Sequence, residues 1–163
     1  MVAAELRLIR AAVAADCQAM VLLSGSCLPL VPLAKLHSQV IGSDRSLLQY
    51  HFLKGGQQRA IASTFGSLQW KVWQRREMEL LCQLSFGDLQ AKWASHEEKM
   101  RRLNLAPDEV VLVNELHAQV GDLEPRCERR AVTYTEWAEA SPDQDGPLHA
   151  KVFGEVPAAA WSA

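Results

Sequence analysis

Ala19-Met20-Val21-Leu22-Leu23-Ser24-Gly25-Ser26 is the stretch whose reading decides the fold. Five apolar residues in a row, ended by a Ser-Gly-Ser turn signal, are too short for a buried helix and suit a strand buried on both faces. The segment before it, residues 3–15, sets Leu6, Ile9 and Val13 at spacings of three and four within alanine-rich flanks, a helix pattern. After it, Pro32 suits the first position of a second helix, with Leu33, Leu36 and Val40 inward and Gly42 as its stop. Ser46 to Phe52 then reads as another strand. Helix, strand, helix, strand predicts an α/β domain with a mostly parallel sheet.

Further on, Lys54 to Ser63 is polar and glycine-containing, a loop by composition. Phe65 to Trp70 reads as a short turn or strand, and Val72 to Leu84 as a helix grouping Trp73, Glu77, Leu80 and Leu81. Asp88 to Leu103 predicts a more polar helix, and Pro107 opens another carrying Val110, Val113 and Asn114 on one face. Ala131 to Trp137 has the β-branched and aromatic content of a strand, and Ser141 to Pro147 that of a loop. No repeat or linker divides the chain. Residues 1–156 are expected to form one domain and residues 157–163, small and alanine-rich, a disordered tail.

The chain has 163 residues, of which 17 are basic and 19 acidic. A net charge of −2 argues against a nucleic-acid protein that relies on a large positive field. No stretch nears the roughly 18–20 apolar residues of a membrane span, so none is expected in this chain. The N-terminus carries Glu5 and Asp16 alongside Arg7 and Arg10, an amphipathic helix and not a leader. Four scattered cysteines form no CxxC pair. His96-Glu97-Glu98-Lys99 starts like a zinc-protease helix, but Met100 stands where the second histidine is needed, so a solvated helix face is the better reading. GxGxxG, P-loop, G-x-S-x-G and Asp-x-Asp motifs are absent.

Four ordered strings resemble one family. Val21-Leu22-Leu23-Ser24-Gly25-Ser26-Cys27-Leu28-Pro29-Leu30 is similar to an "LLS-x-S-C-x-P-L" strand and turn. Gly66-Ser67-Leu68-Gln69-Trp70, before Arg75, Arg76 and Glu77, is similar to a "GSQW" segment and its following helix, with one extra residue. Ala106-Pro107-Asp108-Glu109, running to Leu112, is similar to a "P-D-E-x-x-L" helix. Val132-Thr133-Tyr134-Thr135-Glu136-Trp137, then Gly146-Pro147-Leu148-His149 and Phe153, is similar to a "tyvdW … GP-HP … F" tail. Together, over roughly Leu6 to Val156, they resemble glycosyltransferase family 14, the core-2/I-branching N-acetylglucosaminyltransferases and their plant and algal relatives.

The resemblance implies a partial GT-A-like domain, a mixed sheet flanked by helices. It also implies inverting transfer of N-acetylglucosamine or a related sugar from a UDP-sugar to a glycan hydroxyl, without a metal or other cofactor. A base must then take the proton of the attacking hydroxyl. Glu109 is the candidate: its place in the first turn after Pro107 stabilises its charge, which keeps it ionised and lowers its basicity. Acidic residues in a first helical turn are also ordinary capping choices. Asp108 is the rival base, or orients the helix start. Trp70 offers a stacking face and an N–H to a sugar, or is a core indole. Gln69 and Ser67 can contact sugar hydroxyls, and Glu77 the acceptor, although an Arg-Arg-Glu run is usually solvated. Ser24 and Ser26 follow a strand end, where ligands of open α/β sheets sit, or simply form a hydrogen-bonded turn. Cys27 reads as buried or disulfide-linked. Arg129, Arg130 and Lys151 are the cations available to a leaving diphosphate, although surface solvation is the better reading for any one of them.

Family members carry an anchor, a stem and a nucleotide-binding half ahead of the segment matched here, so the chain reads as lacking much of the donor half. Ala150 also stands where plant relatives have proline. The partners expected are a glycan acceptor and a nucleotide sugar, and the location, inherited from the family, is the Golgi or secretory-pathway membrane. The competing expectation is a non-catalytic, truncated relative that binds glycan or protein.

Overall fold

The computed structural model describes residues 2–23, 31–55 and 65–131, apart from the side chain of Gln69. Helix α1 (Val2–Ala14) buries Leu6 and Ile9, one turn apart on its inner face. Its end is a Schellman turn: the Cys17 N–H donates to the Ala12 carbonyl, and Asp16 takes a left-handed φ of 56°. That turn feeds β1 (Ala19–Leu22). Helix α2 (Leu33–Ile41), with Pro32 at its N-cap, then leads to β2 (Ser46–Phe52). These four elements follow the predicted order.

The sheet does not follow the predicted pairing. Strand β3 (Phe65–Gln74) lies between β1 and β2 and runs antiparallel to both. The two early strands therefore do point the same way, but they are not neighbours. Among the described residues, parallel pairing is confined to β4 (Cys127–Glu128) against Ser46 and Leu47 of β2. The α/β class holds with a mixed, largely antiparallel sheet, because a long third strand fills the gap that a crossover would leave.

That third strand also corrects the helix expected over Val72 to Leu84. Val72 pairs with Val21 on one side and Leu47 on the other, and Trp73 pairs with Met20. Successive side chains go to opposite faces. Val72 joins Val40 and Leu47 in a small cluster under α2, whereas Trp73 enters the main core. Only from Arg75 does the chain coil, as α3 (Arg75–Cys82). Two longer helices follow. Helix α4 (Phe86–Arg102) starts where the Ser85 hydroxyl accepts from the Asp88 N–H. It ends with Asn104 at φ 52°, a second Schellman turn closed by the Leu105 N–H on the Met100 carbonyl. Helix α5 (Pro107–Val120) begins with the predicted proline.

The main core lies between one face of the sheet and the helices, joining Leu6, Ile9, Trp73, Leu81, Trp93 and the apolar face of α5. The other face is packed by α2 through Val40 and Leu36. No helix among the described residues is long and apolar enough to cross a membrane. The strand expected over Ala131–Trp137, apart from Ala131, the loop over Ser141–Pro147 and the tail over 157–163 lie outside the described residues, as does nearly all of the Lys54–Ser63 loop.

Candidate functional site at the start of helix α5

Three side chains of β3 share one face: Ser67 and Lys71 both reach the start of α5, and Lys71 and Trp73 both reach Glu5. Two of them fasten the first turn of α5. The Ser67 hydroxyl donates to the Glu109 carbonyl at 3.3 Å, and the Lys71 ammonium donates to the Asp108 carbonyl at 2.6 Å. Farther along, the Asn114 amide brackets the start of β3, accepting from the Phe65 N–H at 3.1 Å and donating to the Phe65 carbonyl at 2.7 Å. The "GSLQW" strand and the "PDE" helix, far apart in sequence, are therefore locked together.

Lys71 is 0% exposed, so its charge needs an internal partner. Glu5 supplies it, with carboxylate oxygens 3.3 and 3.4 Å from Nζ. The Trp73 indole N–H also donates to Glu5, at 2.8 Å. Burial holds the Glu5 carboxyl above its ordinary 4.5, against the pull of Lys71 and the Trp73 hydrogen bond. Neither Glu5 nor Lys71 was singled out from the sequence. The available signal was a lysine inside Trp70-Lys71-Val72-Trp73, a run otherwise suited to a buried strand.

Glu109 is half-buried at the α5 start. Its carboxyl is pushed up from the ordinary value, first by burial and then by the neighbouring Asp108 charge; Ala106 backbone and Lys71 pull the other way. The expectation of lowered basicity is overturned: desolvation and a second carboxylate outweigh the favourable helix end. Asp108 is buried, and it borders a hollow of about 140 Å³ also lined by Ala4, Glu5, Leu8 and Leu22.

Trp70 takes another position. It is half-buried in the irregular middle of β3. There β3 bulges: Leu48 pairs with Lys71 and Tyr50 with Ser67, leaving Leu68, Gln69 and Trp70 opposite Gln49 alone. The Trp70 indole nitrogen is buried with no hydrogen-bond partner among the described residues.

Glu77 is 0% exposed, which corrects its reading as a solvated face. Its carboxylate accepts from the Ser46 hydroxyl at 3.0 Å, Arg76 at 2.6 Å and Arg126 at 3.3 Å. It ties α3 to β2 and the segment before β4, and is committed to that network instead of to an acceptor. Arg129 is exposed, and its guanidinium carbon lies 4.6 Å from the Tyr50 ring centre and 5.2 Å from that of Phe52. Tyr50 is the cross-strand partner of Ser67, so Arg129 is drawn toward the α5 face, while Arg130 is exposed. The Cys127 thiol is pushed up to about 12, mainly by burial, and is unreactive as a nucleophile. Ser24, Ser26, Cys27, Lys151 and the Gln69 side chain lie outside the described residues.

No family model matches this chain, nor does any curated protein or solved structure. The site must be argued from its own chemistry. It offers a half-buried carboxyl with raised proton affinity, beside a second carboxylate, on a helix end pinned to a sheet. Such a group is suited to take a proton from a hydroxyl, provided that a substrate reaches it.

Proposed function

We propose that this chain is part of an inverting, metal-independent glycosyltransferase of the GT-A type, with Glu109 as general base. The reaction moves N-acetylglucosamine or a related sugar from a UDP-sugar to a glycan hydroxyl, as the resemblance to family 14 implies. The supporting observation is the state of Glu109: half-buried, with its proton affinity raised by burial and by Asp108. A base needs a pKa nearer working pH than a free carboxylate has. In this reading the Glu109 carboxylate accepts the acceptor proton as the hydroxyl oxygen attacks the anomeric carbon and the UDP oxygen departs. Ser67 and Lys71 act as positioning residues through the α5 backbone. Arg129 is the described cation best placed for the leaving diphosphate, by way of Tyr50. A Golgi or secretory-pathway location belongs to this same proposal.

The alternative is a non-catalytic relative that binds glycan or protein. One observation favours it: the indole N–H of Trp70, the candidate stacking residue, has no hydrogen-bond partner among the described residues. A radiolabelled UDP-N-acetylglucosamine transfer assay with branched and unbranched glycan acceptors separates the two. Under the transferase reading, Glu109→Gln lowers turnover by about 10²–10⁴-fold with the melting curve intact. Undiminished turnover in that variant removes Glu109 as base. Glycan binding that Trp70→Ala abolishes, with no turnover by the wild type, establishes the alternative.

A further inference from the structure

We draw no further inference here: the strongest candidate, the surface patch at the end of β2 where the Arg129 guanidinium lies over the exposed Phe52 ring, carries nothing, because nothing in the structure shows what covers it.

Discussion

Glu5 and Glu77 are both buried carboxylates that receive a positive side chain, yet they are held in opposite ways. Glu77 is neutralised from the rim: the side chains of Arg76 and Arg126 are 44% and 35% exposed, and only their tips reach inward. Its cations keep part of their hydration. Glu5 is neutralised from inside, by a lysine with no exposed surface. Both members of that pair have left water, so their attraction must offset two desolvation costs. A rim-neutralised acid is a fastener between elements. An acid sealed in with its cation is sensitive to every neighbouring charge, and its neighbour here is Asp108.

The sharpest way to break this contrast is to remove the sealed cation. Lys71→Met leaves Glu5 buried with only the Trp73 indole, and should cost about 3–5 kcal/mol in urea unfolding. The double variant Glu5→Gln/Lys71→Met should recover part of that loss, because no buried charge is then left unpaired. A Lys71→Met midpoint matching the wild type would dissolve the distinction. Next in size is Glu77→Gln, which removes a charged acceptor from three donors and should cost about 1.5–3 kcal/mol. Arg126→Met takes away one rim cation and leaves Arg76 in place, so its cost should be about 0–1 kcal/mol.

The smallest effect is in pH dependence, and its sign is opposite to the usual carboxylate case. Glu5 and Glu109 keep their protons to higher pH in the folded chain than in the unfolded one. Their contribution is complete below the ordinary value of 4.5 and is lost as pH rises through their folded values. Glu98, held low by Arg102 and Arg101, behaves conversely and withdraws stability as pH falls. Unfolding free energy followed upward from pH 4.5 should therefore decline, and less steeply in Glu5→Gln/Lys71→Met. Identical slopes would show that Glu5 does not titrate differently on folding.

Much of the secondary structure was legible in local pattern. The strand over Ser46–Phe52 matches, since it lies between a glycine stop and a glycine-containing loop. The Pro107 helix begins at its proline, which fixes φ and lacks a donor that the first turn would leave unpaired. The helix expected over Val72–Leu84 failed for its first three residues. Val72 and Trp73 satisfy helical spacing with Leu80 and Leu81, but pairing with β1 and β2 claims them for the sheet. The candidate site was legible as separate strings. That Ser67 meets Glu109 was not.

Local spacing alone settled where α1, β1, α2, β2 and α5 lie, because turns, caps and apolar periods act within a few residues. Which strands are neighbours, and which charges lose their water, was decided only when β3 slid between β1 and β2. That event drew Lys71 beneath α5, against an acid near the chain start. A lysine in a strand and a glutamate in a helix look solvated in sequence. Only long-range packing turns them into a sealed pair, since desolvation depends on everything around a group and not on its neighbours along the chain.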